Sequence, residues 1–269
     1  MQGFDKGQNP RWQMVPVGGD RYMALRGGAG LTVTSSDTSV LTVTEITHAQ
    51  IPAHGERMAL QASDRIFKMH GVGKGNARLQ AKSGATTAVE LEVDTKNRKT
   101  VRLSFNFVHD SAGHHTTRVP ASARGWVSTI NYIYNGQANI FATLIHARRV
   151  DVASDLGAQV MWTSTAANEW DTVTALGDSG ADMNYFLVWE YEQDATPAVD
   201  NTDAGTLGRN CIFEDHAGHA IAVTMAHELG HHLGRPDHYD AGRKIHLMHG
   251  ITDERGIHLP KEDVNGMNP

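Results

Sequence analysis

The sequence predicts two domains, an all-β sandwich followed by an α+β (mixed α/β) domain. Short runs of β-branched residues, alternating with period two and separated by turn residues, fill the first third of the chain, which is typical of a small antiparallel sandwich. A polar, charged break follows at Asp94-Thr-Lys-Asn-Arg-Lys99. Beyond it, helical and strand patterns mix, as they do when helices and a sheet share one core. We therefore expect domains over residues 1–97 and 98–269.

The strands of the first domain are expected where β propensity or alternation is clear. Residues 31–34 and 40–44 are rich in Val and Thr, and residues 77–81 and 89–93 alternate apolar with polar side chains. Alternation with period two indicates strands that are buried on one face only. The Gly-rich segment 71–76 lacks the Ser or Thr of a phosphate-binding loop and leads into a strand, so we interpret it as a turn.

The second domain should combine apolar strands with one long amphipathic helix. Trp126, Ile130, Ile133 and Tyr134 fall at three- and four-residue spacing, which indicates a single helical face. Residues 151–184 mix Gly, Ser, Thr and Asp and predict a long irregular excursion. The expected elements are a strand over 101–108, a helix over 121–134 stopped by Asn135-Gly136, and strands over 140–145, 185–189 and 211–213.

Composition excludes several classes of protein. The 24 Lys and Arg against 30 Asp and Glu give a net charge of −6, which argues against non-specific nucleic-acid binding. A single cysteine, Cys211, excludes an internal disulfide framework and a Cys-based zinc finger. No apolar run reaches the length of a membrane span. Nine of the 16 His lie in the last 59 residues, which is the first indication of metal chemistry.

A candidate metal site lies in this His-rich region. His227 and His231 are four residues apart, and on a helix this spacing places both imidazoles on one face, one turn apart. Two neutral imidazole nitrogens are ligands that zinc prefers. Glu228 lies between them and is placed to act as a general base rather than as a ligand. The pattern therefore indicates a zinc hydrolase.

The third ligand of this site is less certain from the pattern. Gly234 should end the helix, because glycine turns the chain at low steric cost, and Pro236 prevents its continuation. The reversed chain can then bring a ligand back to the metal. Asp237 is our prediction, and the adjacent His238 is the alternative.

The segment from His227 to Asp237 reads H-E-x-x-H-x-x-G-x-x-D and resembles the signature of the metzincin metalloendopeptidases. Residues 234–239 look most like the snapalysin branch, in which Asp is the third zinc ligand. Leu247-Met-His-Gly250 resembles the family's Met-turn, with Met248 as its methionine. This specific match covers 222–250, and a weaker one covers about 100 to 269.

The resemblance implies a zinc endopeptidase in which His227, His231 and Asp237 bind Zn2+ and Glu228 is the catalytic base. It also implies that residues 211–215 form the antiparallel edge strand on which substrate binds in extended form. Some metzincins carry a Tyr two residues after the Met, but that position here is Gly250. We expect Tyr239 or His249 to line the site, and either could take the place of the missing Tyr.

The first domain also resembles a known family. Residues 33–43 and 73–81 are similar to the first half and the Gly-rich turn of a bacterial immunoglobulin-like (BIG2-type) repeat, over roughly residues 12–96. This resemblance implies an immunoglobulin-like sandwich with a surface or carbohydrate partner.

The leading functional hypothesis is a monomeric, extracellular zinc endopeptidase that acts on proteins or peptides. No signal peptide is visible, so export would be leaderless or would follow removal of a leader. Two alternatives stay open: a non-catalytic, surface-binding Ig-like protein with a structural zinc site, and a zinc hydrolase that acts on cell-wall peptides. Glu228 argues against the first alternative, because a structural zinc site needs no base.

Overall fold

The computed structural model describes residues 5, 8–52, 60–162, 169–192, 203–215, 221–251 and 254–269. Six residues of the predicted irregular excursion, 163–168, lie outside the described residues. The chain divides into two compact units: Met1–Lys99 with Asn135–Asn139 and Leu259–Pro269 form the first, and Thr100–Tyr134 with Ile140–His258 form the second.

The main body of the first unit is built from two β-sheets. One has the strand order β1-β7-β6-β3 and the other β2-β5-β4, and the pairs are antiparallel except β1 with β7. The strands are β1 (Arg11–Pro16), β2 (Asp20–Leu25), β3 (Thr32–Ser35), β4 (Leu41–Ile46), β5 (Arg65–Gly71), β6 (Gly75–Ser83) and β7 (Thr86–Lys96).

A single core joins these two sheets. Leu41 and Met69 from one sheet and Leu79 and Val93 from the other belong to the same buried apolar cluster. The alternation predicted over 77–81 is present, because alternate side chains of β6 are buried and the intervening ones lie outward. Burying one face of each sheet against the other removes the apolar side chains from water, which stabilises a sandwich of short strands.

The second unit combines helices with a sheet of mixed strand direction. Its elements are β8 (Lys99–His109), α1 (Ala123–Ala138), β9 (Ile140–Asp151), β10 (Val160–Met161), α2 (Glu169–Thr174), β11 (Met183–Leu187), β12 (Tyr191–Glu192), β13 (Ala204–Leu207), β14 (Asn210–Phe213) and α3 (Ile221–His232). The sheet order is β13-β14-β11-β8-β9, and β10 pairs with β12 separately. Every residue of β11 is buried, as expected for a central strand.

The prediction of the edge strand at residues 211–215 is wrong. The corresponding strand, β14, is parallel to β11 and lies between β11 and β13. The antiparallel strand at this end of the described sheet is β13, Ala204-Gly-Thr-Leu207. This strand escaped detection because it is short, contains Gly205 and shows no alternation, whereas Cys211 and Ile212 are apolar because they are buried on an interior strand.

Helix α1 extends beyond its predicted end. Ile130, Ile133 and Tyr134 are fully buried, as the predicted face requires. However, the helix continues through Asn135-Gly136 to Ala138. It ends at Asn139, whose φ of 51° lies in the left-handed region that Asn tolerates better than most residues. The helix therefore stops at Asn139 and not at the predicted Asn135.

The C-terminal segment Leu259–Pro269 belongs to the first unit, whereas the predicted second domain, residues 98–269, includes it. It contains α4 (Lys261–Met267) and ends with Asn268, whose side-chain amide donates to the carbonyls of Asn97 and Ala138. Lys261 also forms an ion pair with Glu92 at 2.7 Å. The proposed division into independently folding domains at residues 97 and 98 stays a prediction. None of the helices described in the structure is long and apolar enough to cross a membrane.

Candidate metal centre

Helix α3 is held in place from its buried side. Met225, Ala226 and Leu229 are fully buried. Two buried tyrosines donate hydrogen bonds to its backbone: the hydroxyl of Tyr134 to the Ala226 carbonyl at 2.7 Å, and that of Tyr185 to the Met225 carbonyl at 2.6 Å. These contacts fix the rotation of the helix about its axis, and with it the direction in which the next residues, His227 and Glu228, point.

The end of α3 reverses the chain as predicted. Gly234 has a φ of 88°, which is a left-handed conformation that favours glycine. The Gly234 N–H donates to the His231 carbonyl and the Arg235 N–H donates to the Gly230 carbonyl, which together form a Schellman motif. The turn brings the following residues, including Asp237, back along the helix end.

Three donor atoms converge where the chain returns, and we call His227, His231 and Asp237 the triad. The two Nε2 atoms lie 3.0 Å apart. Asp237 Oδ1 lies 3.2 Å from His227 Nε2 and 3.6 Å from His231 Nε2. His238, the alternative ligand, does not belong to this group of donors; its backbone N–H donates to the Met248 carbonyl, and its carbonyl accepts from the Gly250 N–H.

The hydrogen bonds of the two imidazoles indicate that the triad is built for a cation. Nδ1 of His227 bonds the Leu247 carbonyl and Nδ1 of His231 bonds the Arg235 carbonyl, each at 2.8 Å. A carbonyl can only accept, so each Nδ1 carries a proton, and a neutral ring then presents its Nε2 lone pair to the other ring. Two lone pairs and a carboxylate at this distance repel one another unless a positive charge lies among them.

The spacing of the donors fits zinc. Donors about 2.0–2.1 Å from a tetrahedral zinc ion are separated by roughly 3.3 Å, close to the three separations of the triad. Asp237 Oδ1 is buried and has no hydrogen-bond partner among the described residues. A buried carboxylate oxygen without a partner is costly, and a metal ion would satisfy it. The residues present therefore suit Zn2+.

The charge of the triad resides on Asp237. Burial raises the pKa of this carboxyl group, but a hydrogen bond with His227 and positive charge at His227 and His231 outweigh burial and bring the pKa to about 2. A cation bound among neutral imidazoles would supply the same positive charge. The group is therefore ionised at neutral pH. The Tyr239 hydroxyl donates to the other carboxylate oxygen, Oδ2, at 3.1 Å, so that Oδ1 alone points to the imidazoles.

Glu228 lies next to the triad and is buried. Its Oε2 accepts a hydrogen bond of 2.6 Å from the hydroxyl of Thr206 on β13. This contact orients the carboxylate and connects it with the strand at the end of the described sheet. Sequence reasoning missed Thr206, because a single Thr in a segment without alternation carries no recognisable signal.

The predicted Met-turn supports the triad from its backbone. Met248 is fully buried, and the carbonyl of the preceding Leu247 is the partner of His227 Nδ1. A backbone hydrogen bond from His249 to the His246 carbonyl at 3.3 Å closes the turn. The turn therefore selects the tautomer of His227, a role that the sequence alone did not reveal.

The space beside Gly250 is filled by Tyr239. A Cβ atom added at Gly250 would lie 2.4 Å from Cε1 of the Tyr239 ring. The ring of Tyr239 thus fills the space into which a side chain at residue 250 would project. The Tyr239 hydroxyl contacts Asp237. The second candidate, His249, is buried, and its Nε2 lies 3.3 Å from Glu254 instead.

Neither a protein-family model nor a curated protein matches the sequence. Similar solved structures include archaemetzincin from Methanopyrus kandleri (14% identity, 63% of this chain and 93% of that chain, TM-score 0.41). They also include metalloproteinase-II from Bacteroides fragilis (13% identity, 93% and 91%, TM-score 0.40). Domains 1–6 of surface layer protein SbsC are similar at 19% identity over 33% of this chain, which spans only 12% of that one, with a TM-score of 0.24. Because each lies below 25% identity and below 0.5 in TM-score, we draw no conclusion on function from them.

Proposed function

We propose that this protein is a zinc-dependent endopeptidase that hydrolyses peptide bonds in protein or peptide substrates. The observation that carries the proposal is the convergence of two imidazole Nε2 atoms and one carboxylate oxygen within 3.6 Å, with the buried Glu228 adjacent on the same helix. Three protein ligands leave a position open for substrate or water, which distinguishes a catalytic zinc site from a structural one.

In this proposal His227, His231 and Asp237 hold Zn2+. A bound zinc ion would supply Lewis-acid polarisation of the scissile carbonyl and would favour attack by water at neutral pH. Glu228 takes a proton from the attacking water and returns it to the leaving amine. The Thr206 hydroxyl keeps the carboxylate in one orientation, so that it does not have to reorganise during proton transfer.

Strand β13 is the proposed binding edge for an extended substrate. Within the described part of the sheet it pairs with β14 only, so its other edge is available for strand addition. Thr206, in the middle of β13, bonds Glu228. A peptide added at this edge would therefore run beside the proposed base. Extracellular location, a monomeric state and a BIG2-type first domain with a surface partner remain parts of this proposal.

The proposal predicts one zinc per chain and activity that depends on Glu228. Elemental analysis of unchelated protein should find zinc, and a chelator should remove zinc and caseinolytic activity together. Glu228→Gln should keep the metal and lose at least ~10²-fold in activity, because it removes the base and no ligand. Glu45→Gln, at an exposed carboxylate of the first unit, is the matched control. Protein that contains no zinc, or wild-type turnover by Glu228→Gln, would reject the proposal.

A further inference from the structure

The sandwich of the first unit contains a cavity of about 150 Å³ between its two sheets. One wall is the inner face of the β1-β7-β6-β3 sheet, where residues paired across neighbouring strands project side by side. Two rows of paired residues form this wall: one consists of Val33, Ala81 and Val89, and the other of Leu79, Leu91 and Arg11. Met23 and Leu25 on β2 of the other sheet form the opposite wall.

The cavity is open to solvent beside Val89. This residue lies two positions before the buried Leu91 and on the same face of β7, yet it is 49% exposed. Ala81 leaves the space inside, because its methyl group replaces the larger side chain that Leu79 contributes one row away. An apolar cavity of about 150 Å³ accommodates a molecule of about the size of benzene.

One uncompensated charge borders the cavity. Arg11 lines it and is exposed, and its side chain forms no ion pair or hydrogen bond with the described residues. Glu90, the other charged residue of the lining, is already bound by Gln80 and by Arg78 at 3.6 Å. An arginine stem packs on apolar surface while its guanidinium group stays in water, so the positive charge of Arg11 is expected at the rim.

We propose that this cavity binds a small carboxylate amphiphile. Its apolar body, the size of one aromatic ring or a short alkyl chain, enters the sandwich, and its carboxylate pairs with Arg11. Removal of the apolar body from water supplies most of the binding free energy, and the ion pair selects for the anion. The site is independent of the proposed peptidase function, since all of its residues lie in the first unit.

The test uses hexanoate as the probe on the full chain as purified. Hexan-1-ol lacks the charge and acetate lacks the alkyl chain, so these two compounds are the matched controls. NMR of isotopically labelled methionine methyl groups follows the titrations, with Met23→Leu and Met248→Leu to assign the two signals. Met23 reports on the cavity. Met248, in the turn that supports the triad, reports on a carboxylate that binds at the metal centre instead.

We expect hexanoate to shift the Met23 signal saturably, with a Kd of about 1 mM or tighter, as for other ligands of this size. Hexan-1-ol should bind about 2- to 5-fold more weakly, which is the range of a solvent-exposed ion pair. Acetate should leave the Met23 signal in place. A Met23 shift that does not saturate, or a shift of Met248 alone, would overturn the assignment of the cavity as the binding site.

A variant that fills the cavity tests the location of the ligand. Ala81→Leu should abolish the Met23 shift while the thermal midpoint stays the same or rises, because filling a cavity stabilises a core. If Ala81→Leu does not fold, Val89→Phe at the half-exposed mouth decides, since its ring would close the entrance. Undiminished hexanoate binding by the folded variant would contradict the proposal.

A second variant tests the role of the charge. Arg11→Gln should bind hexanoate and hexan-1-ol equally, with the affinity for hexan-1-ol unchanged. Lys82→Gln is the matched control, because it removes the same charge next to Ala81 from a residue that does not line the cavity, and it should keep the preference for hexanoate. A preference that persists in Arg11→Gln would overturn the pairing of Arg11 with the carboxylate.

Discussion

At the scale of single residues, the candidate site depends on which nitrogen of each imidazole carries the proton. The carbonyls of Leu247 and Arg235 bind Nδ1 of His227 and His231, and this leaves both Nε2 atoms as donors toward a metal. Asp237 adds the negative charge, and Tyr239 fixes the orientation of that carboxylate. These two carbonyls and the Tyr239 hydroxyl therefore set the orientation of the three predicted ligands.

The assignment of the third ligand can be tested by exchange. Asp237→Ala should weaken zinc binding by more than the ~10²-fold that loss of an outer partner costs, because it removes a ligand and the charge of the triad. Asp237→His should restore binding, since imidazole suits zinc. His238→Ala should keep zinc stoichiometry, because the backbone of His238 makes its contacts with the turn. Competition with a chromogenic chelator measures each affinity, and collapse in His238→Ala alone would reverse the assignment.

At the scale of elements, the loop after β8 is organised by one buried carboxylate. Asp110 Oδ1 accepts hydrogen bonds from the backbones of Ala112 and His114, and Oδ2 accepts from the Leu156 backbone and from His114 Nδ1. Burial raises the pKa of Asp110, but these hydrogen bonds outweigh burial and lower the pKa to about 2. Each oxygen of Asp110 already accepts two hydrogen bonds. We therefore interpret the group of Asp110, His114 and Asp155 as a device that stabilises the loop and not as a second metal site.

The depressed pKa of Asp110 predicts how stability depends on pH. In the unfolded chain an Asp titrates near ~3.9, so the contribution of Asp110 should be complete above that pH and lost as pH falls toward 2. Asp110→Asn should therefore be less stable than wild type at pH 7, and the difference should shrink between pH 4 and 2. Urea unfolding over this range, with the exposed Asp151→Asn as control, measures the difference. A constant difference at every pH would contradict the assignment.

At the scale of the whole molecule, the chain crosses four times between its two compact units. It leaves the first unit at Lys99, returns for Asn135–Asn139 and returns again at Leu259. Asn268 is the last link of the returning segment, through its hydrogen bonds to the carbonyls of Asn97 and Ala138. The first unit is therefore assembled from both ends of the sequence, which no local pattern near residues 94–99 indicates.

This organisation predicts the behaviour of a fragment over residues 98–269. The fragment keeps every residue of the triad and should retain one zinc per chain. It loses the contacts of Asn268 with Asn97, of Lys261 with Glu92 and of Asn139 with Lys96. Its thermal midpoint should therefore fall by several degrees, since about 1 kcal/mol shifts the midpoint by about 2–4 °C at this size. Scanning calorimetry measures the thermal midpoints of the fragment and of the full chain. The full chain with Asn268→Ala is a third sample, which lacks only the hydrogen bonds of the Asn268 side chain. An unchanged midpoint would show that these bonds contribute little.

The sequence by itself determined the features that depend on neighbouring residues. The spacing of His227 and His231, the stop at Gly234 and the alternation of β6 are local, because helix and strand periods place side chains within a few positions of one another. The buried face of α1 followed in the same way from Ile130, Ile133 and Tyr134. These features sufficed to propose a zinc site and to divide the chain into an all-β and a mixed part.

Only the tertiary structure decided which distant groups meet. Thr206 reaches Glu228 across 22 positions, Leu247 reaches His227 across 20, and Asn268 reaches Asn97 across 171. Such contacts depend on the packing of whole elements. A single hydroxyl or carbonyl forms no periodic pattern in the sequence from which its contact could be predicted. For the same reason the edge of the described sheet was assigned to residues 211–215 instead of β13. Strand order is set by long-range pairing, and the apolar pattern of one strand does not predict which strands will lie beside it.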